Sequence, residues 1–399
     1  MLAFSNLWPA GDAGIPTVYY CIFVIGVVVF LALDLGLFNR KAHKIGFREA
    51  LAWSVLWFSL ALVFAFTAIP HVYDKESGRR FHELNTNGDN FLEPGEVGVD
   101  PNQTEPIKLD HLRVEETLFA QYDRDKDKKL SKQEYSQLLS EVSKIAFITG
   151  YILELSLSMD NVFVIALIFT YFRVKVKYQH RVLFWGILGA IIMRGLMIGI
   201  GSAAVARWDW ILYLFGGFLL FTGIKMLFTD DDDGVDPEHN ILVKIARRIF
   251  PVHDQFDGEH FTILRDGKRL LTPMTIVLIT VESTDVVFAV DSIPAIFSVT
   301  TDPFIVFTSN MFAILGLRSL YFVLAGAIEY FHYLKYGLAL VLAFIGAKML
   351  GEHWLEQRFE RDIPHWMPLV VVGGIILISI IASIIHKLRG QGSDSAGFD

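Results

Sequence analysis

Three carboxylates, Glu282, Asp285 and Asp291, interrupt the otherwise apolar stretch VESTDVVFAVDS at residues 281–292. A single charge at the centre of a bilayer costs about 2.5–3.5 kcal/mol even on lenient insertion scales, so acids in a membrane helix need a compensating partner. A bound cation or an exchangeable proton would compensate them. Either partner would make this stretch a functional site.

The stretch ELSLSMDNVFVIALIF, residues 154–169, repeats this arrangement. In each copy an acid is followed six residues later by an aspartate and a small polar residue. Both copies offer carboxylate, amide and hydroxyl oxygens and no Cys or His, and such hard donors suit Mn²⁺, Ca²⁺ or Mg²⁺ better than Cu⁺ or Zn²⁺. The candidate cation site comprises Glu154, Asp160, Asn161, Glu282, Asp285, Asp291, Ser292, Asn310 and Asp34.

Two further blocks extend the duplication. GAIIMRG (189–195) matches FAILGLRS (312–319), which aligns Arg194 with Arg318 as candidate partners of the acids, and TGIKML (222–227) matches IGAKML (345–350). Matched blocks in the same order predict two copies of a three-helix unit. The predicted orientations make the copies inverted, an arrangement typical of secondary transporters. Gly150 and Pro294 are predicted to break the helices that carry the acids.

Residues 71–144 form a hydrophilic insert with two twelve-residue stretches that match calcium-binding EF-hand loops, NTNGDNFLEPGE (85–96) and DRDKDKKLSKQE (123–134). Such loops place oxygen ligands at positions 1, 3, 5, 7 and 12, the seventh through its backbone carbonyl. The predicted Ca²⁺ ligands are Asn85, Asn87, Asp89, Phe91 and Glu96 in the first loop, and Asp123, Asp125, Asp127, Lys129 and Glu134 in the second. Leu92 and Leu130 are the apolar residues expected between two paired loops.

The loops depart from the pattern in two ways. The glycine at position 6 is replaced by Asn90 and Lys128, and Lys adopts a positive φ less easily than Asn does. Asn85 leaves the first loop without a carboxylate at position 1, so we expect weaker calcium binding there. On the outer face of a membrane such sites would act as a structural or gating clamp.

The composition indicates a polytopic membrane protein, because 53% of the 399 residues are hydrophobic and 33 are Phe. We predict nine transmembrane helices, at about 16–38, 47–70, 145–171, 182–206, 208–228, 273–298, 303–328, 331–351 and 367–386. The net charge of −8 argues against a nucleic-acid partner. The expected partners are the lipid bilayer and a metal ion.

With nine spans, the basic clusters in the loops and the C-terminal tail all fall on one side, which should be cytoplasmic. The N-terminus and the insert then lie outside a bacterial-type inner or plasma membrane, and the C-terminus lies inside. The predicted fold is an all-α polytopic membrane protein with inverted three-helix repeats and an extramembrane EF-hand pair. Its parts are 1–70, the insert 71–144, the first repeat 145–228, a cytoplasmic loop 229–272, the second repeat 273–351, and 352–399.

The chain resembles the TerC family, named for tellurium resistance, in ELSLSMDNVFV, WGILGAIIMRG, DVVFAVDSIPAIF, PFIVFTSNMFAILGLRSLYF and GAKML. The resemblance spans residues 16–351 apart from the insert. It implies an integral membrane metal-ion transporter, since several members are implicated in Mn²⁺ export, and it points to Glu154, Asp160, Asp285 and Asp291 as the site. The paired calcium loops depart from the commonest members.

We therefore expect a transporter, not an enzyme, that exports a divalent cation such as Mn²⁺ in exchange for protons. A calcium-responsive scaffold, or a subunit of a tellurite stress-resistance complex without transport, is one alternative. A Ca²⁺ transporter is another, because Ca²⁺ and Mn²⁺ share oxygen donors. An intramembrane aspartyl protease is disfavoured, because the paired aspartates lack a Gly-x-Gly-Asp context.

Overall fold

The computed structural model describes residues 15–33, 46–85, 87–93, 121–208, 210–228, 243–244, 248, 253, 258, 260–265, 268–324, 333–359 and 366–394. Its helices are α1 Thr17–Leu33, α2 Phe47–Val63, α3 Ile69–Leu84, α4 Lys132–Tyr171, α5 Val176–Arg207, α6 Trp210–Phe228, α7 Pro273–Phe297, α8 Pro303–Leu324, α9 Leu334–Phe359 and α10 Trp366–Asp394. A π-helical turn, Phe64–Ala68, joins α2 to α3. Two antiparallel pairs of strands complete the described part, β1 Phe91–Leu92 with β2 Leu130–Ser131 and β3 Thr262–Arg265 with β4 Lys268–Leu271.

The prediction of a helical polytopic membrane protein is confirmed, because a helix occupies each of the nine predicted ranges within the described residues. Six segments are long and apolar enough to span a membrane: Phe47–His82, Lys132–Tyr171, Val176–Arg207, Trp210–Phe228, Pro303–Leu324 and Leu334–Gly351. Thr17–Leu31 and Met367–Ser383 are shorter apolar helices. Helix α7, which carries the three acids, is not in that set.

Helix α4 is much longer than the predicted span 145–171, because its 40 residues begin inside the second loop of the insert. The Ser131 hydroxyl caps the helix N-terminus and Glu134 completes a capping box. Such a box satisfies backbone N–H groups that the first turn would otherwise leave without partners. The insert and the membrane part of the chain are therefore joined by unbroken helix.

The predicted helix breaks at Gly150 and Pro294 are wrong, since α4 and α7 continue through both positions. A Cβ at Gly150 would lie 2.9 Å from the Ile296 side chain and 3.1 Å from Ser309 Oγ, so the glycine permits close packing of α4 against α7 and α8. Pro294 lies in the last turn of α7, which ends at Phe297. A proline there removes one hydrogen bond near the helix end and leaves the rest intact.

The two helix triplets, α4–α6 and α7–α9, interlock. Helix α4 packs against α8, and α7 packs against α5. Helices in equivalent positions also meet, as α4 with α7, α5 with α8 and α6 with α9. Each of these contacts has a counterpart when α4, α5 and α6 are replaced by α7, α8 and α9 and the reverse, as a duplication would require. The opposite orientation of the two triplets in the membrane stays a prediction.

Glycines bring α6 and α9 into backbone contact. A Cβ at Gly223 would clash with the backbone of Ala343, and a Cβ at Gly346 would clash with the backbone of Leu220. The contact is reciprocal: Gly223 and Gly346 are as far apart in sequence as Leu220 and Ala343, the residues at which they meet the opposite helix. Small residues at a helix crossing allow this approach within a membrane.

Replacing Gly223 by alanine should therefore destabilise the crossing. Gly223→Ala drives a methyl group into the Ala343 backbone, and we expect a loss of about 1–3 kcal/mol, as in other overpacked interiors. Thermal unfolding in detergent, followed by intrinsic fluorescence, measures the change. Gly217→Ala is the matched control, because a Cβ there meets nothing within 4 Å. Equal stability of the two variants would contradict the prediction.

Candidate functional site

Arg194 of α5 lies at the centre of the site and is only 1% exposed. Its Nη2 and Nε donate to the two carboxylate oxygens of Asp285 on α7, at 2.8 and 3.1 Å, and its Nη1 donates to Glu154 of α4. A bidentate arginine–carboxylate pair is strong and geometrically specific. One guanidinium thus holds the leading acid of both motif copies.

Two amides complete this network. Asn310 Nδ2 donates to Glu154 Oε2 at 3.0 Å, and Asn310 Oδ1 accepts from Arg194 at 3.4 Å. Asn161 Nδ2 donates to Asp285 Oδ1 at 3.1 Å. Buried polar groups need such partners, and here Glu154 and Asp285 have them from the protein itself. These two acids are therefore built into the scaffold of the site.

A cavity of about 90 Å³ opens beside the network, between α4, α5, α6, α7 and α9. Asp160 and Asn161 line it from α4, and Asp291 and Ser292 line it from α7. Since a water occupies about 30 Å³ in the liquid, the space suits one cation with a small number of waters. The structure thus brings the second acid and the small polar residue of both motif copies to one place.

Four carboxylates lie close together at the cavity. Glu154, Asp160 and Asp291 line it and Asp285 lies beside it, while Arg194 pairs with Glu154 and Asp285. Desolvated like charges repel strongly in a medium of low dielectric constant. The arrangement can therefore accept a divalent cation or protons.

Two other predicted residues do not join this cavity. Glu282 packs against α5, where a Cβ at Gly189 would overlap its carboxylate and one at Gly186 would lie 4.0 Å away, and it is absent from the cavity lining. Asp34 lies outside the described residues. The candidate cation site thus comprises fewer residues in the structure than the sequence predicts.

The third helix of each triplet contributes a part of the cavity wall that the sequence did not predict. Thr222 and Met226 of α6 line the cavity, as do Leu338 and Leu342 of α9. Thr222 opens the TGIKML block, but the matched block IGAKML has Ile345 at that position, so the repetition did not single out Thr222.

Outside the membrane part, β1 and β2 hold the two loops of the insert together. Their register pairs Leu92 with Leu130, the two residues predicted to lie between the loops, and both side chains are fully buried. Within the first loop, Asn85 Oδ1 accepts from Gly88 N–H, and Asp89 Oδ1 accepts from Phe91 N–H, each at 2.8 Å. Asn87 Oδ1 likewise accepts from the Asp89 N–H. These bonds curve the backbone of the loop around the oxygen atoms.

The second loop gathers carboxylates. One oxygen each of Asp123, Asp125 and Glu134 lie within 4.8 Å of one another. Lys128 has φ of +62°, the left-handed conformation that was expected to be difficult for Lys, and its N–H donates to Asp123 Oδ2 at 2.8 Å. This hydrogen bond helps to hold the tight turn at position 6. Asp127 Oδ1 accepts from Lys129 N–H, whereas Glu96 of the first loop lies outside the described residues.

The electrostatics of the two loops differ. Desolvation acts to raise the pKa of Glu134, but hydrogen bonds from the Ser131 side chain and from two backbone N–H groups outweigh it and hold that pKa below its usual value. Desolvation, together with a hydrogen bond to Asp123, raises the pKa of Asp125. The acids of the first loop face a cation from the second loop, because the Lys129 ammonium lies 2.8 Å from Glu93 and 3.6 Å from Asp89.

Known proteins resemble the chain along nearly its whole length. The family described as "Integral membrane protein TerC family" matches residues 139–391. "Uncharacterized membrane protein STKORF319" of Myxococcus xanthus is 42% identical over 373 residues, which cover 94% of each chain. "Putative membrane-bound redox modulator Alx" of Escherichia coli (strain K12) is 40% identical over 361 residues, 90% of this chain and 92% of its own. No solved structure matches.

Proposed function

This chain belongs to the TerC family of integral membrane proteins, and from that premise we propose that it is a transporter that exports a divalent cation, foremost Mn²⁺. One observation carries the proposal: Asp160 and Asp291, from the two motif copies, line the same cavity. Carboxylate, amide and hydroxyl oxygens are the donors that Mn²⁺ takes in proteins.

The four acids of the motifs have two roles in this proposal. Glu154 and Asp285 fix Arg194 and set the distance between α4 and α7, whereas Asp160 and Asp291 bind the transported ion. Asn161 and Ser292 add neutral oxygens, and waters complete the coordination shell. When the ion leaves, protons neutralise the same carboxylates, which makes protons the natural counter-ion.

Movement of one triplet against the other would open the cavity to the two sides in turn. The glycines at the crossing of α6 and α9 bring the two backbones into close contact, and the triplets can rotate relative to each other about this contact. The interlocking of α4 with α8 and of α7 with α5 ties each acid-bearing helix to the opposite triplet. A rocking motion therefore changes the surroundings of both acids together.

Reconstituted protein gives the direct test. Liposomes that contain the purified protein and a Mn²⁺-sensitive dye should show Mn²⁺ flux that is faster than in protein-free liposomes and depends on an imposed pH gradient. Excess Ca²⁺ on the side of Mn²⁺ addition distinguishes a Mn²⁺ transporter from a Ca²⁺ transporter. In a Ca²⁺ transporter, the excess Ca²⁺ would fully inhibit the Mn²⁺ flux. The absence of flux for either ion would contradict transport.

We also propose that the paired loops of the insert bind Ca²⁺. The residues fit the ion: the oxygens of Asp123, Asp125 and Glu134 already converge within 4.8 Å. Calcium needs six to eight oxygens, which Asp127, the Lys129 carbonyl and waters would complete. Bound calcium would supply positive charge that draws these carboxylates together. In the first loop, Asn85 in place of an acid and the nearby Lys129 ammonium favour weaker binding.

Glu134→Gln should abolish high-affinity calcium binding at the second loop. Gln can still complete the capping box at the start of α4, so the helix is retained while a charged ligand is lost. Calorimetric calcium titration of the full-length protein in detergent measures the loss, which we expect to exceed tenfold in Kd. Glu141→Gln, which changes a partly exposed acid on the same helix, is the control. Unchanged affinity in Glu134→Gln would remove this site from the proposal.

A calcium-responsive scaffold without transport is the second candidate function, and the convergence of the loop carboxylates is the observation that favours it. It predicts that loop variants lose function while asparagine is tolerated at Asp160 and Asp291. The name of the Escherichia coli relative adds a redox role to the possibilities. Cys21 is the one cysteine of this chain, so a redox role through an internal disulfide does not apply.

A further inference from the structure

Arg80 and Asp302 form a buried ion pair that lies outside the cavity lining. Arg80 Nη2 lies 3.8 Å from Asp302 Oδ2, and the two side chains are 6% and 2% exposed. Arg80 belongs to α3, five residues before the first loop begins at Asn85, and Asp302 precedes α8. The pair therefore ties the helix that enters the loop pair to a helix of the second triplet.

Asp302 uses its two oxygens for two tasks. Its Oδ1 accepts from the N–H groups of Phe304 and Ile305, at 2.9 and 3.3 Å, and so caps the N-terminus of α8. Its Oδ2 faces Arg80. Two turns further along, α8 carries Asn310, which donates to Glu154 in the cavity network. Helix α8 thus connects its Asp302 cap to that network.

Packing joins the same regions. One hydrophobic cluster runs from Leu92 and Leu130, between the loops, through α3 and α4 to Phe304 and Ile305 in the first turn of α8. Ser136 Oγ also donates to Asp74 Oδ1 at 2.5 Å, which fastens α4 to α3 next to the second loop. The loop pair, α3, α4 and the start of α8 therefore form one packed unit.

We propose that Arg80 and Asp302 are positioning residues that couple calcium at the paired loops to cation binding in the cavity. The inference rests on the proposed function, because it names how the proposed site is regulated. Calcium would fix the distance between the end of α3 and the start of α4. The ion pair and the continuous helix α4 would then carry that constraint to Asn310 and to Glu154.

The test is a linkage measurement on full-length protein in lipid nanodiscs. Mn²⁺ affinity is titrated with and without saturating Ca²⁺, and Ca²⁺ affinity with and without saturating Mn²⁺. Cavity binding is defined as the Mn²⁺ binding lost in Asp160→Asn with Asp291→Asn, and loop binding as the Ca²⁺ binding lost in Glu134→Gln. In wild type we expect each ion to change the affinity of the other by the same factor, of at least about fivefold, because coupling is reciprocal.

Asp302→Asn separates the ion pair from the helix cap, since Asn caps helices as well as Asp does. The variant should bind both ions, with a coupling factor that falls towards one. Arg80→Gln should behave in the same way, and Arg80→Lys, which keeps the charge, should retain more of the coupling. A purely structural role would instead lower thermal stability and leave the factor at its wild-type value.

The outcomes distinguish the inference from the proposed function. Cavity binding of Mn²⁺ together with a wild-type factor of one, or a factor unchanged in Asp302→Asn and Arg80→Gln, overturns the inference alone. A failure to find Mn²⁺ binding that depends on Asp160 and Asp291 overturns the proposed function itself. Because Asp302→Asn and Arg80→Gln each break the same ion pair, the inference is testable even if one of these variants does not fold.

Discussion

Cells that express the double variant Asp160→Asn, Asp291→Asn should accumulate manganese under manganese stress, whereas cells with the wild-type protein should keep their manganese low. Asparagine preserves the size of both side chains but removes two of the negative charges that line the cavity. Each loss of about 1.4 kcal/mol in cation binding lowers affinity tenfold, so we expect residual export below about a tenth of the wild-type rate. Elemental analysis of washed cells, at matched membrane levels of protein, measures it.

Single variants refine this result. If the two aspartates bind one ion together, each single change should impair export nearly as strongly as the double change. The remaining aspartate alone would then bind the ion too weakly, so the effects would not add. Glu141→Gln, which changes a partly exposed acid in the part of α4 next to the loop pair, should export like wild type. Wild-type export in the double variant would reject the cavity as the site of transport and would favour the calcium-responsive scaffold.

Arg194→Gln should be among the most destabilising single changes in the membrane part of the protein. It leaves Glu154 and Asp285 buried without the guanidinium that both now contact. Removing one partner of a buried ion pair costs about 3–5 kcal/mol, since the remaining charge stays desolvated. Thermal unfolding in detergent measures the change, with Arg207→Gln at the exposed end of α5 as the matched control.

A compensating variant tests the cause. Adding Glu154→Gln and Asp285→Asn to Arg194→Gln removes the two stranded charges, so most of the lost stability should return. Recovery of stability without recovery of export would show that the network both holds the helices and shapes the cavity. If the triple variant is no more stable than Arg194→Gln alone, the loss comes from packing of the guanidinium and not from charge.

The sequence was sufficient to predict the helices and one half of the site. The helices could be recognised because apolar stretches of about 20 residues have few alternatives. Asp160 and Asp291 could be placed together because they hold the same place in the two motif copies. Two helices related in this way can face each other across the axis that relates the copies. The duplication did not distinguish Arg194 from Arg318, and only the crossing of α5 with α4 and α7 gives Arg194 both acids.

The wrong predictions have a common physical origin. Gly150 and Pro294 are helix-breaking types, but their effect depends on what surrounds them. Gly150 faces Ile296 across a tight contact, and Pro294 falls where α7 is about to end. The Arg80–Asp302 pair could not be predicted for a related reason, since it joins segments more than two hundred residues apart that share no motif. Long-range packing decides such features.

The unbroken helix α4 has a consequence for how this protein can be altered. Glu134 and Glu154 lie on one rod, so their angular relation is fixed by the number of residues between them. Inserting a single residue between them would turn everything beyond it by about 100° and swing Asp160 away from the cavity, whereas seven residues, close to two full turns, would nearly restore its direction. Any change in the length of α4 between the loop pair and the cavity must therefore keep the helical phase.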